Sequence, residues 1–512
     1  MTWDYDRSKE RIQKHLDGMG EIKVGKLVRE ADLQTLLTET ECREIRGAHV
    51  YATVPAFAPL ASDQGADDPD YAGHIQAVHL YQREVGRIVE STVFDGLRVH
   101  FQGPKLHALF YRPIDGDGKL AARAVLLQLV LRDFVFAVFN PAFPTMTDVV
   151  VAGGADLGDV VGTKNGSRAD RELLFLGPAA NHAAKIIGAA GRLRVTERLA
   201  EALPESLADL CESDGEDLRL RQVDADELDE LLDEFGFAWD RDRSAARVES
   251  DRGMYPLDRI RVSSADTLID VDELGIFDNK RVTAASVFGD VAGFTAYIDA
   301  AETDEEKKTA LRVLHAIRRE MARVVRSDFG GVRLQFQGDR VQALFHLPKD
   351  DDDEISRVAV DAGIGLQSSM EHAVKELLPE AADLRLAVGV DLGTTLVTKL
   401  GTRSHRDRIC LGSAVEGAAA NEERCLGGWT GISKVVRDGL EESLRDQFAY
   451  DASARCYVAD GLTVTKADRL RRARAYAEGG LYTGRAAGLT ILTREAPGAR
   501  PIQPAKPYAP AG

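Results

Sequence analysis

A chain of 512 residues is too long for one hydrophobic core and is expected to divide into two or more domains. Its 44% hydrophobic and 29% charged content is that of an ordinary soluble globular protein. The formal charge of −18 argues against a protein that grips a nucleic-acid backbone, yet a few local cations or metals still permit a mononucleotide substrate.

Taken in chain order, Met1-Thr2-Trp3-Asp4-Tyr5-Asp6 carries charge where a signal peptide needs an apolar run, and residues 1–40 are expected to be an N-terminal helical segment. The most apolar stretch, Ala121 to Phe139, is broken by Arg123 and Arg132-Asp133, which predicts a buried core helix and not a membrane span. Cys42, Cys211, Cys410, Cys425 and Cys456 are scattered with no close pair along the sequence. That spacing predicts neither a disulfide framework nor a zinc site and suits a reducing, cytoplasmic setting. No membrane and no nucleic acid is expected as a partner.

Residues 41–205 begin with a β-branched strand, Ala48 to Val54, that leads into a long amphipathic helix. A hairpin follows with Gln102-Gly103 at its tip, then a second long helix, another strand, and a strand–helix unit at Gly177. Residues 206–278 are acidic, with Asp224 to Glu234 the densest part, and read as a solvated helix and linker. The same grammar returns over 279–445, with a strand at Ala284 to Phe288, a tip at Gln337-Gly338 and a strand–helix unit at Gly412. Residues 446–495 form a small C-terminal element, and the Pro-rich 496–512 is expected to be a disordered tail.

The two stretches are copies of one another. Gly-Leu-Arg-Val-His-Phe-Gln-Gly at 96–103 returns as Gly-Val-Arg-Leu-Gln-Phe-Gln-Gly at 331–338, 235 positions on. Asp156-Leu157-Gly158 matches Asp391-Leu392-Gly393, Thr163-Lys164 matches Thr398-Lys399, and Gly177 matches Gly412, all at the same offset. The order β-α-β-β-α-β predicts an α+β fold: two ferredoxin-like domains, each with helices on one face of an antiparallel sheet.

In the second copy, Phe288-Gly289-Asp290-Val291-Ala292-Gly293-Phe294-Thr295 resembles the Phe-x-Asp-x-x-Gly-Phe-Thr signature of class III adenylate and guanylate cyclases. Phe336-Gln337-Gly338-Asp339 resembles that family's hairpin Gly-Asp. Either motif alone is an ordinary turn, but both occur in the right order on the right elements. The resemblance implies that Asp290 and Asp339, helped by the Val291 carbonyl, hold two divalent cations, Mn²⁺ or Mg²⁺. Phe294 and Thr295 open a helix whose N–H groups are expected to meet substrate phosphates.

The first copy has Thr53 and Pro104 where those carboxylates would stand. It keeps what the second has lost. The family's Gly-x-x-Val-Asn-x-x-x-Arg helix, whose Asn and Arg serve ribose and transition-state phosphate, reads Gly177-Pro178-Ala179-Ala180-Asn181-His182-Ala183-Ala184-Lys185. Asn181 and Lys185, four residues apart, share one helical face, whereas the second copy has Glu416 and Ala420 there. Lys gives a point charge in place of the planar fork of Arg. Lys164, Arg168 and Arg171 lie near this segment as further candidate phosphate contacts. The resemblance thus implies two tandem class III cyclase domains packed as an intramolecular pseudo-heterodimer with one composite site.

Adenylate cyclases carry a Lys four residues before the hairpin Asp and an Asp or Thr three residues before the helix Gly; here those places hold His100 and Leu174. Neither reproduces a purine reader. The hairpin Phe336-Gln337-Gly338-Asp339-Arg340 looks like that of bacterial pyrimidine cyclases of the antiphage Pycsar system. That likeness implies a cyclic UMP or cyclic CMP product, with UTP preferred as the substrate and a separate effector responding to the product. His100 is the leading base contact and Arg46, at the head of the first strand, the second. An adenylate cyclase with unorthodox base contacts and a silent nucleotide-binding regulator are the rival readings. A diguanylate cyclase is discarded, because the Gly-Gly-Asp/Glu-Glu-Phe hairpin is missing.

Overall fold

The computed structural model describes residues 2–27, 32–54, 70–114, 116–144, 149–165, 172–402, 405–464 and 491–492. Arg168, Arg171, the tail 496–512 and much of 446–495 lie outside the described residues. Two nine-stranded sheets dominate, and they are built alike. In the first, the strands run in the order Leu97–Gln102, Lys105–Phe110, Glu41–Thr53, Ala152–Asn165, Leu193–Val195, Asp217–Leu220, Cys211–Asp214. The second repeats this with Val332–Gln337, Arg340–Phe345, Asp278–Ala292, Arg385–Thr402, Trp429–Ile432, Cys456–Asp460 and Ala449–Asp451. The first four strands of each path have the ferredoxin-like order expected from the sequence, and the whole is a tandem α+β fold.

Each sheet carries two long helices on one face: Asp70–Val89 and Asp117–Asp133, then Asp304–Arg323 and Asp352–Ser368. Asp304–Arg323 starts on a reciprocal cap, with the Thr303 hydroxyl taking the Glu306 N–H and the Glu306 carboxylate taking the Thr303 N–H. Asp117–Asp133 is buried without a break from Ala124 to Leu131, the core helix predicted from its apolar run. Among the described residues no helix is long and apolar enough to cross a membrane.

The repeat extends further than the sequence suggests. The segment 206–278, read above as an acidic linker, carries the strands Cys211–Asp214 and Asp217–Leu220 of the first sheet. Its helix Ala225–Glu234 buries Leu228, Leu231 and Leu232. The strands Ala449–Asp451 and Cys456–Asp460 of the C-terminal element do in the second sheet what that pair does in the first.

Two helices are exchanged between the copies. Tyr5–Gly18 precedes the first copy but packs on the second, with Trp3, Ile12 and Leu16 in its core. Arg241–Met254 precedes the second but packs on the first through Arg83 and Arg87 with Asp251, and Arg247 with Glu84. The sheets reinforce this pairing. Leu174 and Leu176 enter the core of the second copy, and Leu396, Leu400, Ile409 and Leu411 enter that of the first. None of the five cysteines is in a disulfide, but Cys425 and Cys456, 31 positions apart in sequence, adjoin in space beside Gly431. Sequence spacing concealed that pair.

Candidate active site

The strand Asp278–Ala292 pairs with Arg340–Phe345 as far as Gly289↔Val341. Asp290 is the next residue along it, and Asp339 sits two positions before Val341 in the turn Gly338-Asp339. Adjacent strands lie about 4.8 Å apart, so Asp290 and Asp339 stand at the same end of one strand pair. Gly338 has φ +70°, as the first turn residue of such a hairpin demands. Asp290 is only 7% exposed. Arg340 braces the hairpin from the other side, stacked 4.3 Å over Phe288 and paired at 2.8 Å with the buried Glu422.

A partly buried pair of carboxylates from adjacent strands, with a backbone carbonyl beside it, is a set of hard oxygen donors. That set fits a divalent cation of the magnesium or manganese kind. Among the described residues no group of three or more His, Cys, Asp or Glu side chains gathers to hold a metal, so such an ion would lean on these two carboxylates, backbone oxygen and its substrate.

Beyond Asp290 the chain turns at Gly293, φ +88°, into the short helix Phe294–Asp299. The Phe294 ring is buried in the core, which leaves its backbone as the part able to meet a substrate. Thr295 is half-buried at the same turn. This helix packs on Pro178–Lys185 of the first copy. There Ala179, Ala180, Ala183 and Ala184 face inward, so Asn181 is half-buried and Lys185 exposed on the outer side. A Cβ on Gly154 would run into the Ala183 carbonyl, so only glycine lets this helix lie so close on its strand.

Two residues to which the sequence assigned no role, a histidine and an arginine, meet on an acid of this copy. His182 and Arg198 both reach the buried Asp156, which Thr196 also bonds at 2.6 Å. Burial opposes ionisation of Asp156, but the bonds from His182, Arg198 and Thr196 outweigh it and hold the carboxyl below its usual range. Burial raises Asp299, from the facing helix, while His182 and Arg198 pull it back. The repeated Asp156-Leu157-Gly158 was the one sequence signal for this cluster.

His100 lines an interdomain cavity of about 330 Å³ with Leu174, Glu172, Arg318, Phe336 and Gly338. A β-bulge at Val99 sets its direction, and the second copy has one at Leu334. Burial pushes its pKa down to about 4, so the ring is neutral at pH 7. The Gln102 amide nitrogen lies 3.1 Å from its Nε2, an arrangement that leaves Nδ1 as the donor. Leu174, at the place where adenylate cyclases have an Asp or Thr, forms an apolar wall.

Arg46 requires a correction. Its guanidinium is committed to Asp117 at 2.7 Å and Asp159 at 3.0 Å within the first copy, and it does not line the His100 cavity. Lys164 donates to the Gln34 carbonyl at 2.8 Å and does line the His100 cavity.

Fold and site together define a class III nucleotide cyclase. No family model matches the chain. A uridylate cyclase of Pseudomonas aeruginosa is 30% identical over 466 residues, 87% of this chain and 88% of that one. A uridylate cyclase of Rhizobium sp. is 26% identical over 421 residues, 76% of each. The crystal structure of a class III adenylyl cyclase-like ATP-binding protein from Pseudomonas aeruginosa aligns with a TM-score of 0.78 at 26% identity, covering 92% of this chain and 99% of that one. The chain belongs to the class III nucleotide cyclases, in the same family as these uridylate cyclases.

Proposed function

We propose that the chain converts UTP to 3′,5′-cyclic UMP and pyrophosphate at one composite site between its copies. The observation that carries this is the complementary loss. Where the second copy has Asp290 and Asp339 the first has Thr53 and Pro104, and where the first has Asn181 and Lys185 the second has Glu416 and Ala420.

In the reaction the ribose 3′-oxygen bonds to the α-phosphorus and loses its proton. The bond from that phosphorus to the bridging oxygen breaks, and pyrophosphate leaves. Asp290 and Asp339, with the Val291 carbonyl, would hold two Mn²⁺ or Mg²⁺ ions, whose chemistry is to acidify the 3′-hydroxyl and neutralise the triphosphate. Asn181 orients the ribose, Lys185 stabilises charge on the phosphate, and the backbone at Phe294 and Thr295 meets the phosphate oxygens. His100 donates from Nδ1 to the uracil O4. The same donor would face the amino group of cytosine and leave both donors unpaired, so UTP is preferred over CTP.

In this reading the enzyme works in the cytoplasm, and its product is a signal for a separate effector in antiphage defence, as the Pycsar likeness implies. The likeness to two uridylate cyclases supports the base, whereas the likeness to an ATP-binding protein makes ATP the competing substrate. Purified protein incubated with ATP, GTP, CTP and UTP separately in Mn²⁺, with products identified by mass spectrometry, tests both. Cyclic UMP is expected. A cyclic purine as main product overturns the base assignment, and no product from any nucleotide overturns the activity under these conditions.

A further inference from the structure

We propose that Arg318 is a positioning residue for the carboxylate hairpin and that Glu172, from the other copy, completes the device; this rests on Asp290 and Asp339 being the metal ligands. Arg318 lies on the helix Asp304–Arg323 and donates from Nη1 to the Gly338 carbonyl at 2.8 Å, next to Asp339. Its Nη2 pairs with Glu172 at 2.5 Å. Glu172 also takes Arg333 Nη1 at 3.1 Å, and Arg333 is in the first arm of the same hairpin. Both guanidiniums also lie over the ring of Phe336, Arg318 at 4.3 Å and Arg333 at 5.3 Å from its centre. Both arginine side chains are almost wholly buried. One acid from the first copy therefore holds two cations of the second, and one of those holds the turn that presents Asp339.

The degenerate copy supplies the control. There Gln82 does the work of Arg318, donating to the Gly103 carbonyl at the same 2.8 Å. The partner acid is Asp407, the repeat equivalent of Glu172, and it accepts the Phe101 N–H at 3.0 Å without bridging two arginines. A neutral amide thus accompanies Pro104, and a cationic clamp accompanies Asp339. The difference has a physical purpose. A turn whose Gly338 carbonyl is held by a buried guanidinium presents Asp339 in a fixed direction, which a metal ligand needs. The planar fork also fixes direction as well as charge. Because Glu172 belongs to the other copy, the hairpin is fully set only when the copies are paired.

The test uses the full chain with Glu172→Gln, which spares both arginines, and Arg318→Gln, which installs the residue of the degenerate copy. Mn²⁺ binding without nucleotide is read by electron paramagnetic resonance, and motion of the tip by hydrogen exchange at amides 336–341. Each variant is expected to bind Mn²⁺ about tenfold more weakly and to exchange faster at the tip, with Mn²⁺ demand for activity raised by the same factor. A folded Glu172→Gln protein with unchanged Mn²⁺ affinity and unchanged tip exchange overturns the proposal. If Asp290→Asn leaves Mn²⁺ binding untouched, the metal-site reading itself fails, and the tip exchange alone then decides whether the clamp holds the hairpin.

Discussion

Thr53 and Asp290 stand on the same rung of two equivalent sheets. Thr53 faces Ala152, Asp290 faces Ala387, and these partners are 235 positions apart like the rest of the repeat. One rung therefore carries a carboxylate in one copy and a hydroxyl in the other. Asp290→Asn should lower the rate of cyclic nucleotide formation by at least about 10³-fold, while Thr53→Ala should leave it within about twofold. Product formation in Mn²⁺ measures both, and comparable losses in the two variants would remove the division of labour.

The opposite asymmetry belongs to the helices. Asn181→Ala is expected to lower kcat by about 10²-fold with a smaller change in KM, because it orients the ribose for attack and that alignment is made in full only in the transition state. Glu416→Ala, at the equivalent place in Ser413–Arg424, should alter neither. Steady-state kinetics on the two variants decides the matter. A KM effect alone in Asn181→Ala would make Asn181 a ground-state contact only.

What could be read from the sequence was whatever is contiguous. Asp290 and Asp339 were legible because each lies within a short motif on a strand end or a turn, and the repeat fixed their equivalents. Glu172 and Arg318 were not, because each sits on a regular strand or helix and gains its meaning only from a contact across the copies, 146 positions away in sequence. Arg46 misled for the reverse reason. Its position at the head of a strand was visible, but not the two carboxylates that claim it. The acidic run 224–234 concealed Leu228, Leu231 and Leu232, whose helical spacing is the mark of a packed face.

Buried histidines make the fold acid-labile. Burial disfavours the imidazolium of His49 and His315, pushing each to about 3, and His107 lies well below its ordinary value for the same cause. In the unfolded chain they titrate near 6.5, so between about pH 6.5 and pH 3 the unfolded state binds more protons. The stability they permit is present above pH 6.5 and is lost as pH falls, by up to about 1.4 kcal/mol per pH unit for each ring. His315→Leu should flatten the fall in urea unfolding free energy between pH 6.5 and 5 by about one such increment. An unchanged slope would mean that His315 gains water or a counter-charge before the chain unfolds.

The exchanged N-terminal helix should matter to the copy it covers and not to the one it precedes. Arg11 on that helix pairs with Glu320 and with Asp328 at 2.8 Å, and both acids are at most 3% exposed. Burial raises the pKa of Glu320, and Arg11 works against that rise. Arg11→Met keeps most of the packing but leaves Glu320 and Asp328 buried together, with Arg7 the neighbouring cation on Asp328 at 2.9 Å. Removing one partner of a buried pair costs about 3–5 kcal/mol, and the remaining bond from Arg7 puts the expectation at the lower end, about 3 kcal/mol. Hydrogen exchange should then quicken first in Asp304–Arg323 and Asp352–Ser368 of the second copy, while Asp70–Val89 of the first keeps its protection. Equal loss of protection in both copies would show that they unfold as one unit, with the shared apolar contacts of Leu174, Leu176, Leu396 and Leu400 dominating over the helix exchange.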